Sequence, residues 1–150
     1  MKNLKIFNYI NINIVIFIFT FVCCNEKKHL TKDIFITQKK SDSIFDSIQI
    51  LLPKLNEIKF KLNSNKDSIS DKDSISSIKY LGLISDIENI ENDLKEWEKD
   101  KIEIKNSTLP DEQNLALNKK SLNEISKIKF EINDIEIHSK KLFNSQKSHK

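Results

Sequence analysis

The longest apolar seam of the chain lies in residues 80–97, which read YLGLISDIENIENDLKEW. Large apolar side chains recur along it in alternating steps of three and four residues, the spacing of one face of a helix. These side chains are Tyr80, Leu83, Ile87, Ile90, Leu94 and Trp97. The pattern predicts an amphipathic helix over about 74–105 with Trp97 in its core; an exposed Trp97 would instead be a candidate hot spot for a partner.

Two further segments carry similar seams, one over about 43–62 and one over about 110–143. Their members are Ile44, Ile48, Leu51, Leu55, Ile58 and Leu62 in the first segment, and Leu115, Leu122, Ile125, Ile128, Ile132, Ile135 and Leu142 in the second. Three amphipathic helices joined by polar linkers of about ten residues predict an all-α protein. The simplest arrangement is an antiparallel three-helix bundle with long amphipathic helices.

The chain has little material for tight turns, because it contains one glycine and two prolines. Pro53 falls inside the first seam, where a proline removes a backbone hydrogen bond and clashes with the preceding turn. We therefore expect either a kink at Pro53 or a break into two shorter helices. Pro110, followed by Asp111 and Glu112, is typical of the first turn of a helix and marks the start of the third one.

The first 24 residues have a different pattern from the rest of the chain. Lys2 and Lys5 precede an apolar run over 6–22, which stops at Cys23 and Cys24 and gives way to a polar, lysine-rich sequence. A positive start, an apolar centre and a cysteine at the boundary are the layout of a bacterial lipoprotein export signal. The run is shorter than the roughly 20 apolar residues of a spanning helix, so an uncleaved anchor is the less favoured alternative.

The boundary cysteine is the expected site of lipid attachment. Cys24 follows the small residue Cys23, whereas Cys23 follows the β-branched Val22, so Cys24 is the favoured acceptor and Cys23 the alternative. The remaining chain contains no cysteine and is therefore not held by disulfides. Two acyl chains on one cysteine would anchor the protein stably in a membrane, since each buried methylene contributes about 0.8 kcal/mol.

These patterns divide the chain into four segments. We expect a signal peptide over 1–23, a lipidated N-terminus and flexible tether over 24–40, a helical bundle domain over 41–143 and a disordered tail over 144–150. Loss of Lys2 and Lys5 with the signal would leave 23 of the 25 basic residues against all 22 acidic ones. This near balance argues against a nucleic-acid-binding protein, which normally carries a strong basic excess.

The polar residues show no catalytic or metal-binding pattern. His29, His138 and His149 have no partner at ligand spacing, and the carboxylates alternate with lysines along helix faces, as in Glu91–Lys95 and Asp134–His138. We therefore expect no enzyme activity, no cofactor, no metal and no small-molecule substrate. Any activity should lie on an exposed face of the second or third helix, but the pattern identifies neither binding residues nor an oligomeric state.

The N-terminal pattern resembles a known class of protein. The start MKNLKIF over 1–7, the apolar centre, the stop at Cys23-Cys24-Asn25 and the Lys/Asn/Ile/Ser-rich remainder are similar to short surface lipoproteins of Borrelia spirochaetes. The likeness lies in style over the first 25 residues and in composition beyond them. It implies a helical protein that is lipid-anchored in the bacterial outer membrane, exposed at the surface, and able to bind a host matrix or complement protein. The alternative is a structural lipoprotein of the envelope with bacterial partners only.

Overall fold

The computed structural model describes the backbone of residues 2–68 and 74–147 and the side chains of residues 28–65 and 77–145. This part of the chain forms three α-helices: α1 (Lys2–Ser68), α2 (Ser74–Lys105) and α3 (Asp111–Lys147). Every pair of these helices is in contact, and the described residues contain no strand. The predicted all-α three-helix bundle is therefore confirmed.

The directions of the helices follow from their polar contacts. Asp42 of α1 pairs with Lys101 late in α2, whereas Lys59, farther along α1, pairs with Glu91 earlier in α2. The helices α1 and α2 are therefore antiparallel. Since α2 and α3 are also antiparallel across a short turn, α3 runs parallel to α1, and the Lys54–Glu136 pair fixes the register of these two helices.

The core consists of the three predicted seams. Ile48, Leu62, Tyr80, Ile87 and Ile125 have no exposed surface. Other buried members are Leu55, Ile58, Ile90, Leu94, Trp97, Leu115, Ile128, Ile132 and Ile135, while Ile44, Leu51, Leu83, Leu122 and Leu142 pack partly buried against them. Burial of a large apolar side chain contributes about 1.5–3 kcal/mol, so these seams supply the main driving force for folding.

The predicted seams were incomplete in two ways. Ile84 is buried although it lies outside the predicted seam, because a helix that contacts two neighbours buries a wider stripe than one heptad face. Small polar residues also occupy core positions: Thr37, Ser41, Asn118, Ser121 and Ser139. Most of these side chains bond to the backbone of their own helix, as Thr37 Oγ1 does to the Asp33 carbonyl at 2.7 Å, so their burial leaves few polar groups unsatisfied.

The first helix begins earlier than predicted. Residues 28–42 are helical, although the sequence placed a flexible tether up to residue 40 and a helix start near 43. Thr37 and Ser41 continue the seam of Ile44 in steps of four and three residues, and both are buried. The predicted start is wrong because polar residues occupy the buried positions of this stretch, so the apolar spacing that indicates a helix is absent there.

Proline does not interrupt the first helix. The helix α1 continues through Pro53, so it is not split into two. Pro53 cannot donate to the carbonyl of Gln49 one turn earlier, but both residues are exposed, so water can hydrate that carbonyl. The missing hydrogen bond thus lies on the solvent side of the bundle.

The ends of α2 and α3 agree closely with the prediction. The helix α2 has the predicted bounds, and the carbonyl of Pro110 accepts the first helical bond of α3 from Asn114 N at 2.9 Å. Pro110 thus precedes the first turn, in which Asp111 and Glu112 offset the positive end of the helix dipole. At the other end α3 extends past 143 to Lys147, so part of the predicted tail is helical, while residues 148–150 lie outside the described chain.

Candidate interaction surfaces

An aromatic cluster ties the three helices together near the turn between α2 and α3. Trp97 is 3% exposed, and its Nε1 donates to the Ser121 carbonyl of α3 at 2.9 Å. Its ring stacks on Phe45 of α1 at 5.2 Å between centroids, and Lys101 Nζ lies 5.0 Å above the Trp97 ring while it pairs with Asp42. Trp97 is therefore a core residue that joins α2 to both neighbours.

Ion pairs cross from α1 to the other two helices. Lys59 Nζ lies 2.9 Å from Glu91 and 3.7 Å from Glu88 of α2, and the hydrogen bond to Glu91 raises the pKa of Lys59. Lys54 Nζ lies 2.6 Å from Glu136 of α3, whose pKa is lowered by hydrogen bonds from Lys140 and from Lys54. These pairs fix the register of the helices, although partly exposed pairs of this kind each contribute only about 1 kcal/mol or less.

The lysine-rich face of α3 is a mixed surface. Lys120 pairs with Glu124, Lys127 with Glu131 and Lys140 with Glu136, each one helical turn away. The predicted neighbour pair Asp134–His138 is present at 3.1 Å, but Glu91 contacts Lys59 in place of the predicted Lys95. Three basic groups of α3 are thus interleaved with acidic partners on the same helix.

A long groove lies between α2 and α3. Three adjoining cavities of about 320, 220 and 370 Å³ form it, and they share Asp100 and Glu124 at one junction and Asp93 and Lys127 at the other. Its length from Asp86 to the turn at Ser107 is about 30 Å at 1.5 Å per helical residue. Its floor includes Ile90, Trp97, Ile104, Leu117 and Ile128, and its lining is mainly apolar at the end near Ser107 and mainly polar at the end near Asp86. We refer to this feature as the α2–α3 groove.

The rim of the α2–α3 groove is acidic. It carries the carboxylates of Asp86, Asp93, Glu96, Asp100, Glu103, Glu124 and Glu131. The two lysines of the rim, Lys120 and Lys127, pair with Glu124 at 3.5 Å and with Glu131 at 3.2 Å. Among the described residues, the carboxylates of Asp86, Asp93, Glu96 and Asp100 form no ion pair. A concentration of one charge in a groove of a nearly neutral chain creates a local field that favours basic ligands.

The sequence pattern predicted that these carboxylates belong to a solvated helix face, and it did not predict the groove. The available signal was the recurrence of Asp86, Asp93 and Asp100 at intervals of seven residues, which places them on one edge of α2. At the end of the groove, the hydroxyl oxygen of Ser107 is buried and has no hydrogen-bond partner in the described part of the chain.

The described side chains show no metal site and no helix suited to a membrane. No group of three or more His, Cys, Asp or Glu residues among them is positioned to hold a metal ion. Within the same residues no helix has a stretch of sufficient length and apolarity to cross a membrane. The predicted signal peptide over 1–23 and the predicted lipidation residue Cys24, with its alternative Cys23, fall outside the described side chains and stay predictions.

Comparison with known proteins gives no relative of this chain. No protein-family model, curated protein or solved structure matches it. The resemblance to Borrelia lipoproteins stays a prediction from the first 25 residues and the composition of the chain.

Proposed function

We propose that the protein is a lipoprotein, anchored in the bacterial outer membrane and exposed at the cell surface, that binds a host matrix or complement protein. The observation that carries the anchor is the cysteine pair at the end of the apolar run over 6–22. The architecture favours binding over catalysis, because the polar groups of the three-helix bundle lie on exposed helix faces and in the α2–α3 groove. Such surfaces suit recognition of another protein.

If Cys24 carries the lipid, the register of the helices determines which end of the bundle lies nearer the membrane. Cys24 lies four residues before Lys28, the first described side chain, and four residues span at most about 14 Å. His29 lies 25 residues before Lys54 in α1, and Asp111 lies 25 residues before Glu136 in α3. Because the two helices are parallel and Lys54 pairs with Glu136, His29 is roughly level with the start of α3. A lipid on Cys24 would therefore place the α2–α3 turn near the membrane, with the ends of α1 and α3 farthest from it.

The anchor is tested by metabolic labelling with palmitate. The wild-type chain should carry the label and Cys24→Ala should abolish it, while Cys23→Ala should retain it. Loss of label only in Cys23→Ala would assign the lipid to Cys23. A label that survives both single substitutions and their combination would refute the lipoprotein proposal.

Surface exposure and binding are tested on cells and with the isolated protein. Treatment of intact cells with proteinase should remove the protein and spare a known periplasmic control. The immobilised protein should then retain a serum or extracellular-matrix protein at micromolar concentration. Protection from proteinase together with failure to retain any such protein would favour the alternative, a structural envelope lipoprotein with bacterial partners only.

A further inference from the structure

The α2–α3 groove has the length and charge to hold a basic segment of another protein. Asp86, Asp93 and Asp100 recur every seven residues, about 10.5 Å apart along the axis of α2. A helix packed lengthwise in the groove would present side chains at the same interval, because residues seven apart on a helix share one face. The groove therefore matches a helical partner with basic residues at heptad spacing.

The chemistry of the groove selects lysine or arginine on that partner. These side chains have apolar stems and charged heads, so the stems can cover apolar surface while the heads stay in water. The floor residues Ile104 and Leu117 provide such a surface beside the rim carboxylates Asp100 and Glu103.

We propose that the α2–α3 groove is a binding site for a lysine- or arginine-rich helical segment of a protein partner. This rests on the proposed function, because it names the surface and the chemistry through which a lipid-anchored protein would engage its partner. The unpaired carboxylates of Asp86, Asp93, Glu96 and Asp100 supply the attraction. Lys120 and Lys127 do not cancel this attraction, because Glu124 and Glu131 of α3 already balance their charges.

The test measures binding of a defined peptide to the full chain in an uncharged detergent. The probe is a fluorescent, alanine-based helical peptide of about 20 residues, the length of the groove, with lysines at heptad spacing. Its counterpart carries glutamate in place of every lysine. Fluorescence anisotropy should show saturable binding of the lysine peptide and none of the glutamate peptide. A chain that binds neither peptide, or both equally well, would overturn the proposal.

Two matched double variants locate the binding. The groove variant Asp93→Asn/Asp100→Asn and the control Asp46→Asn/Glu98→Gln each remove two exposed, unpaired carboxylates, but Asp46 and Glu98 lie outside the groove. The groove variant should bind the lysine peptide about threefold to tenfold more weakly, and the control should differ from wild type by about twofold or less. Equal weakening in the two variants would show attraction to net charge alone and overturn the site.

Two further outcomes separate this proposal from its alternatives. If the chain is a dimer that the lysine peptide dissociates, the occupant of the groove is a second copy, and the assignment to a separate partner is overturned. Because the assay contains neither membrane nor host protein, its failure leaves the palmitate and proteinase results intact. Loss of the palmitate label, in turn, would refute the anchor and leave the peptide result standing.

Discussion

The two edges of α2 carry similar charged residues and use them differently. On the edge that faces α1, Glu88 and Glu91 are bridged by Lys59, so acidic and basic groups of two helices meet. On the edge that faces α3, no ion pair joins the two helices in the described chain, and Asp93 and Asp100 point their charge into a groove. One edge of α2 therefore contributes ion pairs to the packing of the bundle, while the carboxylates of Asp93 and Asp100 on the other edge stay unpaired among the described residues.

The largest effect on stability should come from a charge placed in the buried apolar seam of α2. Ile90 is 3% exposed and lies in the middle of the α2 seam. In the fragment 25–150, which contains every described side chain, Ile90→Asp should lower the free energy of unfolding by about 3–5 kcal/mol, because it buries an unpaired carboxylate. Urea unfolding followed by far-UV circular dichroism measures this. The exposed position Ile78, 67% accessible, provides the control, since Ile78→Asp should have little effect.

A smaller loss should follow from removal of one hydrogen bond at the aromatic cluster. Trp97→Phe keeps an aromatic ring beside Phe45 but removes the donor to the Ser121 carbonyl. We expect a loss of about 1–2 kcal/mol in the free energy of unfolding, because the buried bond between α2 and α3 and some packing are lost. Ser126→Ala, which removes a hydroxyl bond on the exposed side of α3, is the reference. A loss no larger than that of Ser126→Ala would show that the Trp97 bond does not hold α2 to α3.

Acid should weaken the α1–α3 contact. Hydrogen bonds from Lys140 and Lys54 hold the pKa of Glu136 below its ordinary value of about 4.3. A carboxyl with a lowered folded pKa contributes its full stability above the unfolded pKa and loses it as the pH falls through the folded pKa. Wild type should therefore be more stable than Glu136→Gln at pH 7, and the difference should shrink below about pH 4. A difference that stays constant from pH 7 to about pH 3 would show that Glu136 does not act through its charge.

The sequence could predict the bounds of α2 and most of its buried face, but only part of α1. The helix α2 carries an uninterrupted apolar seam from Tyr80 to Trp97, so both its type and its bounds follow from periodicity. In α1 the seam positions 37 and 41 are threonine and serine, and their burial depends on packing against the other helices. Local pattern does not reveal such packing, and the start of α1 was therefore missed.

The candidate site was harder to predict than the fold. Along α2 the groove residue Asp93 and the bridged residue Glu91 are near neighbours with the same charge. Only the arrangement of three helices decides that Glu91 faces Lys59 and that Asp93 faces the groove. The proposed lipid acceptor Cys24 is the opposite case, because its prediction rests on sequence order and needs no tertiary contact.

The difference between the two edges of α2 is tested most directly by neutralising a carboxylate pair on each. In the fragment 25–150, Glu88→Gln/Glu91→Gln removes both partners of Lys59, whereas Asp93→Asn/Asp100→Asn removes two unpaired groove charges. Urea unfolding should show that the first variant loses up to about 1 kcal/mol, since a cross-helix pair is broken. The second should be unchanged or more stable by a few tenths of a kcal/mol, because like charges no longer repel. Equal losses in both variants, or a larger loss in the groove variant, would contradict the division of α2 into a structural edge and a binding edge.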